Sequence, residues 1–218
     1  MSRGRFIVVE GGEGVGKSTQ VRRLRVFLED GGVPVVVTRE PGGTALGEGI
    51  RKLVLHGRGA SVDPETELLL ILAARAALVR EVVGPALAAG TWVLSDRYDL
   101  SSLAYQGYGR GIGVSRVGRL NSFATGGLAA DLCVVLDLPV EEGIARQGRA
   151  GKSRDRFESE GSAFLGRVRR GYVELARSRP GVVLVSAGGS PADVEGRIRR
   201  EVALAFPDAF GTAGPGGR

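Results

Sequence analysis

The chain has 218 residues, 43% of them hydrophobic, and a formal net charge of +6. That is the size of one ordinary domain with a substantial core, which excludes a wholly disordered chain. The one cysteine, Cys133, excludes an internal disulfide framework, and no uncharged apolar run is long enough to cross a membrane.

The first apolar run is too brief for a signal peptide. Residues 5–10 (RFIVVE) are apolar and rich in β-branched side chains, the mark of a buried parallel strand. Residues 11–16 form a glycine-rich loop. Residues 17–30 carry Val21, Leu24, Phe27 and Leu28 in a helical stripe that Gly31 and Gly32 end. A second strand is expected over 33–38, then a helix over 46–56 with Leu46, Ile50, Leu53 and Val54 on one face. Asp63-Pro64-Glu65 is a helix start with a capping acid and a first-turn proline. The helix that follows is apolar nearly all round and is expected to be buried, with Gly84-Pro85 interrupting it. Further strands are expected over 91–95, 132–137 and 182–186, with helix starts at Ser115, Pro139 and Ser190. Strands alternating with helices predict an α/β fold with a five-stranded parallel sheet flanked by helices. Ligands then bind beyond the carboxyl ends of the strands. One domain is expected over 1–210, with a Gly-rich, disordered tail over 211–218.

Residues 11–18 (GGEGVGKS) satisfy the phosphate-loop pattern between a strand and a helix. Gly11, Gly12, Gly14 and Gly16 let backbone N–H groups turn inward around phosphate, with Glu13 and Val15 between them. Lys17 can reach the β- and γ-oxygens, Ser18 can ligate Mg²⁺, and Thr19 continues the helix whose N-terminus faces ATP. Glu13 is unusual beside phosphates: either it takes an acceptor sugar hydroxyl or it is a solvated loop acid.

Other candidates follow at the strand ends. Arg39 precedes Glu40-Pro41-Gly42-Gly43, a turn that can aim it into a cleft, although a surface ion pair is the simpler reading. Arg75 stands alone in LLLILAARAAL, so it either reads a base edge or pairs with a buried acid such as Glu67. Asp96 can hold Mg²⁺ through water or receive a hydroxyl, and Arg97 can clamp an acceptor phosphate. On a helix, Ser101, Ser102, Tyr105 and Gln106 could face one ligand or form a polar solvated face. Residues 146–158 are rich in Arg and Gly, as expected of a mobile lid that neutralises the transferring phosphoryl. Arg146, Arg149, Lys152 and Arg154 are its basic candidates. The basic residues form no single long tract and aromatics are only 6%; an anionic small ligand such as ATP accounts for the charge as well as a nucleic acid does, and composition alone does not choose, although no nucleic-acid partner is expected once the motifs are taken together.

EGGEGVGKST, TREPGGT, AAR, DRYDLSSLAYQG and DRFE, in that order, resemble the bacterial thymidylate kinases. The likeness runs from Arg5 to about Val202. It implies the three-layer P-loop NTPase fold, usually as a homodimer in the cytoplasm, using Mg²⁺ and ATP to convert dTMP to dTDP for dTTP synthesis. It implies that Glu13 meets the sugar 3′-hydroxyl, that Arg97 and Arg39 hold the acceptor phosphate, and that Arg75 and Ser102 read thymine, with Tyr105 and Gln106 lining the same pocket. Lys17, Arg97, Arg149, Glu13 and Asp96 become the catalytic set. Gly14 matches members that supply catalytic arginine from the lid. Two features depart from the pattern. Ile71 stands where members commonly carry a ring that stacks on thymine, and the lid spacing differs. The alternative reading is a kinase of another pyrimidine nucleotide or of a deoxynucleoside, but a nucleoside has no phosphate for Arg97 to clamp.

Overall fold

In the computed structural model, residues 3–56, 62–149, 156–157 and 160–210 are described. The β-branched runs become strands buried on both faces. β1 (Phe6–Gly11) is buried at every residue and lies at the centre. β3 (Trp92–Asp96) and β4 (Leu132–Asp137) flank it, and β2 (Val35–Arg39) and β5 (Val182–Ser186) form the edges. The order is β2-β3-β1-β4-β5 and every pairing is parallel.

Side-chain alternation along β1 sends Ile7 and Val9 to one face and Phe6 and Val8 to the other. On the first face, α1 (Lys17–Asp30) contributes Val21, Leu24 and Leu28, and α9 (Pro191–Ala205) contributes Val194, Ile198 and Val202. On the second lie α2 (Ala45–His56), α3 (Pro64–Leu78), α5 (Asp99–Ser102), α6 (Val114–Thr125) and α8 (Ser162–Ser178). The result is three layers, helix–sheet–helix. Two caps read from sequence are formed. Asp63 accepts from the Thr66 backbone at 2.9 Å, and Ser190 makes a capping box with Asp193. No helix of the described residues is long and apolar enough to cross a membrane.

Several expectations need correction. Gly84-Pro85 does not interrupt the long helix. After α3 the chain makes a π-helical turn over Val79–Val83, with Gly84 N donating to Val79 O, and continues as α4 (Gly84–Ala88). Pro85 has no N–H to donate, and the widened turn accommodates it. In α2, Ile50 and Val54 are buried but Leu46 and Leu53 are 57% and 59% exposed. At 3.6 residues per turn the two pairs point roughly 70° apart, and only one pair faces the core. In α3, Leu69 and Ala73 face outward, so the helix is buried on one side and not all round. β1, β2 and β3 each end one residue later than the pattern indicated, because their ladders continue to Gly11, Arg39 and Asp96. α7 (Val140–Arg149) is helical through the start of the expected lid. The rest of that segment, 150–155 with 158, and the tail 211–218 lie outside the described residues.

Candidate functional site

A cavity of about 820 Å³ opens at the carboxyl ends of the strands, between the phosphate loop and helices α2, α3 and α5. One end is built by the loop. Glycines at positive φ, Gly14 at 71° and Gly16 at 93°, carry the chain from β1 into α1. Lys17 Nζ folds back onto the carbonyls of Gly11 (3.2 Å) and Gly12 (2.6 Å). Burial lowers the Lys17 pKa, reinforced by Arg97 and opposed by Glu13 and Asp96. Ser18 Oγ donates to Asp96 Oδ2 at 2.8 Å.

Gly14 is glycine for a second reason. A Cβ there would sit 2.1 Å from the carbonyl oxygen of Gly143, and a Cβ on Gly143 would sit 2.4 Å from that of Glu13. α7 is therefore seated directly on the loop. One turn later Arg146 lines the cavity, steadied by its hydrogen bond to Ala187 O at 3.0 Å.

The other end is organised by Arg97, which among the described residues is the one non-glycine with positive φ (75°). That conformation is strained for an L-residue and needs outside support. Ser95 Oγ donates to Arg97 O at 2.7 Å and Arg97 N donates to Val9 O at 3.0 Å. Glu10, wholly buried at the end of β1, accepts from Tyr98 N (2.8 Å), Ser101 N (3.0 Å), Ser101 Oγ (2.6 Å) and Tyr172 Oη (2.8 Å). Burial raises the Glu10 carboxyl although Arg97 and these bonds pull it down. The Arg97 fork reaches Glu13 Oε1 at 2.6 Å, Gly11 O at 3.0 Å, and the hydroxyls of Ser101, Tyr105 and Tyr172 at 3.2 Å. Burial acts to raise the Glu13 carboxyl, but Arg97 and Lys17 outweigh it and hold it below its ordinary range.

Ser101, Ser102, Tyr105 and Gln106 all line the cavity, though not from a regular helix. One α-turn passes at Leu103 into a π-helical stretch to Gly109. Such wide turns recur at functional sites. Gln106 Nε2 donates to the buried Glu67 at 2.8 Å, and Gln106 Oε1 has no hydrogen-bond partner among the described residues.

Arg75 is paired, and with a different acid from the one considered. Nε and Nη2 lie 2.7 and 2.6 Å from Glu40 Oε2, Nη1 donates to Ser102 and Asn121, and Nη2 donates to Tyr98 O. Glu67 instead holds Gln106, Arg110 and Arg156. Every nitrogen of the Arg75 fork is thus engaged within the protein, and it reaches a base edge only by exchanging a partner. Burial pushes the Glu40 carboxyl up to about 7 against the pull of Arg75. Arg39 lies at the cavity rim, paired with Glu48 at 3.1 Å, and Ile71 lines the apolar wall.

Of the residues named from sequence, Glu13 to Thr19, Arg39, Ile71, Arg75, Asp96, Arg97, Ser102, Tyr105, Gln106 and Arg146 share this cavity. Gly11 and Gly12 lie behind it and offer carbonyls to Lys17 and Arg97. The Arg149 side chain, Lys152 and Arg154 lie outside the described residues. Sequence reasoning missed Glu10, Arg51, Tyr172 and Gly143. Arg51 lines the same cavity and donates to Pro41 O at 2.9 Å. Only Glu10 had a signal, an acid closing an otherwise apolar buried strand.

Among the described residues no three His, Cys, Asp or Glu side chains gather as a metal cluster. The Ser18 hydroxyl and Asp96 carboxylate do suit a hard cation held mainly by phosphate oxygens and water, which is how Mg²⁺ accompanies ATP.

The thymidylate kinase family profile matches residues 9–198. The chain belongs to this family. It is 50% identical over 210 residues to the thymidylate kinase of Synechococcus sp. (strain JA-2-3B'a(2-13)), covering 96% of this chain and 98% of that one. It is 46% identical over 193 residues to the thymidylate kinase of Alkalilimnicola ehrlichii, covering 88% and 89%. With that of Desulforudis audaxviator it shares 48% identity over 202 residues, covering 90% of each. Family membership agrees with the observed sheet and with the phosphate loop at its centre.

Proposed function

We propose that this chain transfers the γ-phosphoryl group of ATP to the phosphate of dTMP, giving dTDP. The observation that carries this reading is the Arg97 guanidinium, 2.6 Å from Glu13 of the phosphate loop and in the wall of the same cavity. The phosphate loop binds a triphosphate, and a cation fixed 2.6 Å from that loop marks where a second, anionic reactant belongs.

Each part of the chain has a task in this reading. The loop amides and Lys17 hold the donor phosphates, with Lys17 exchanging its two carbonyls for phosphate oxygens. Arg97, Arg51 and Arg39 receive the acceptor phosphate, and Glu13 turns its carboxylate to the sugar hydroxyl. Mg²⁺, when bound at Ser18 and through water at Asp96, neutralises charge on the transferring group. Catalysis is positioning and charge neutralisation, with no covalent enzyme intermediate.

The base end supports thymine. Ser102 Oγ accepts from Arg75, which leaves its own proton to donate to the O4 carbonyl. Cytosine presents an amine where thymine presents O4, so the Ser102 proton has no acceptor there. Ile71 covers the ring by apolar contact.

A homodimer belongs to the same proposal. Leu46 and Leu53 of α2, Leu69 of α3 and Phe123 of α6 are exposed on helices that pack side by side. Light scattering after size-exclusion chromatography checks this, and a monomer at micromolar concentration refutes it. We assign a cytoplasmic location on the need for ATP and dTMP. The central test is coupled ADP release with ATP, Mg²⁺ and a panel of nucleoside monophosphates. Turnover is expected with dTMP above all others and is expected to be lost in Lys17→Ala. Turnover with no monophosphate, or undiminished turnover in Lys17→Ala, refutes the reading.

A further inference from the structure

Tyr172 stands on α8 and is 2% exposed, and packing sets its place. α8 lies against the π-helical stretch Leu103–Gly109 through two reciprocal glycine contacts. A Cβ on Gly109 would sit 2.8 Å from the Phe164 ring, and a Cβ on Gly171 would sit 2.7 Å from the Tyr108 ring. The next residue is Tyr172, whose ring meets that of Tyr105 edge-on, with centroids 6.3 Å apart. Its hydroxyl is thereby carried to the carboxyl end of β1, 162 positions from Glu10 in sequence.

There the hydroxyl oxygen lies 2.8 Å from Glu10 Oε2, 2.9 Å from Ser101 Oγ and 3.2 Å from Arg97 Nη1. The chemistry of the partners decides where its proton goes. Glu10 Oε1 receives two backbone N–H groups, and Oε2 receives the hydroxyls of Ser101 and Tyr172. Each hydroxyl has one proton, so both then present only lone pairs to Arg97, and a guanidinium has only donors to meet them. Arg97 Nη1 is thus held by three oxygens: Gly11 O at 3.0 Å, and Ser101 Oγ and Tyr172 Oη at 3.2 Å. Nη2 is held differently, by Tyr105 and by Glu13, the carboxylate that turns to the acceptor sugar in the reading above. One nitrogen is an anchor, and the other is released when the acceptor arrives.

We propose that Tyr172, paired with Ser101, is a positioning residue for the acceptor phosphate: its hydroxyl anchors Arg97 Nη1 so that Nη2 faces the incoming anion. Tyr172 does not line the large cavity, so it acts through Arg97 and meets neither reactant itself. The proposal rests on the thymidylate kinase reading and adds to it a link from α8 to the phosphate clamp.

The test compares dTMP with thymidine, the same ligand without its phosphate. Tyr172→Phe keeps the ring and removes only the hydroxyl. Isothermal titration calorimetry is expected to show the Kd for dTMP raised by about tenfold, or ~1.4 kcal/mol, the order of one hydrogen bond to a charged group. The Kd values for thymidine and for ATP are expected to stay within about twofold of wild type, because neither ligand uses Nη2. Should Tyr172→Phe fail to fold, Ser101→Ala removes the other hydroxyl on Nη1 and carries the same expected split. A merely structural role weakens dTMP and thymidine by equal factors. Equal weakening, or an unchanged Kd for dTMP, overturns the proposal, and it leaves the kinase reading intact where wild type still phosphorylates dTMP. A wild-type enzyme that phosphorylates no nucleoside monophosphate removes the reading itself.

Discussion

Arg75→Met tests whether Arg75 is first a clamp or first a base reader. Arg75 is 1% exposed and carries Glu40, Ser102, Asn121 and the Tyr98 carbonyl on one fork. Removing one partner of a buried ion pair costs ~3–5 kcal/mol, since the remaining charge has no compensation. The Tyr98 carbonyl and the two side-chain oxygens lose donors as well. Glu40 limits the penalty: burial already pushes its carboxyl to about 7, and without Arg75 it takes up a proton at neutral pH. The lower part of the range, about 3–4 kcal/mol, is therefore expected. For a domain of this size each kcal/mol moves Tm by about 2–4 °C, so the fall is ~6–16 °C. Thermal unfolding followed by circular dichroism at pH 7 measures it, and Arg75→Met with Glu40→Leu is expected to recover part of the loss. Kinetics taken well below the new Tm then separate the roles. A clamp predicts that kcat/KM falls for dTMP and dCMP alike. A Tm within about 2 °C of wild type, with a collapsed dTMP-to-dCMP ratio, refutes the clamp and makes Arg75 a direct base contact.

Three further outcomes are expected. Glu10→Gln replaces a carboxylate that accepts four hydrogen bonds with an amide whose nitrogen accepts none, so Arg97 loses its support; steady-state kinetics are expected to show acceptor KM raised by about tenfold with ATP KM little changed, and an equal rise in both refutes this. Gly143→Ala puts a Cβ 2.4 Å from the Glu13 carbonyl and pushes α7 off the loop; kcat with dTMP is expected to fall by about tenfold or more, and a normal kcat refutes the close approach. Glu40 has its carboxyl raised from 4.5 to about 7, so the folded state holds the proton more tightly; its contribution to stability is fully present below about 4.5 and is lost as pH rises through about 7. The Tm of wild type minus that of Glu40→Gln is expected to shrink from pH 5 to pH 8, and growth of the difference refutes the sign.

What could be read from sequence is what the chain encodes locally. The phosphate loop, the Asp63 cap and the Ser190 cap involve residues within a few positions of one another, and each formed as expected. The β-branched runs fixed the five strands to within a residue or two because both faces of each inner strand are buried. Helix faces were harder. The stripe Leu46, Ile50, Leu53 and Val54 is apolar throughout, and nothing within α2 says that only Ile50 and Val54 turn inward. The Arg75 partner was illegible for a different reason. Glu40 lies 35 residues away at the end of another strand, and it reads as a turn acid until the sheet places Arg39 beside Asp96. Gly143 was silent because a close backbone approach has no pattern of its own.

In the proposed reading, the parallel sheet lets one guanidinium, that of Arg97, serve both reactants. β1 ends in Glu10 and Gly11, and β3 beside it ends in Asp96, so the loop that takes ATP and the turn that takes the acceptor start from neighbouring strands. A residue following Asp96 in ordinary extended backbone would continue away from the loop. Arg97 turns back because its φ is 75° and because Glu10 binds the next turn at Tyr98 and Ser101. Its fork then reaches both Gly11 O and Glu13 of the loop and Tyr105 of the acceptor wall. In the proposed reading, two adjacent strands and one strained residue set the distance between donor and acceptor phosphates. In-line transfer tolerates little misplacement of the reacting atoms. In that reading, the tolerance accounts for an acid buried at the centre of the sheet, where its desolvation is costly and its bonds to Tyr98 and Ser101 hold the turn that follows Arg97.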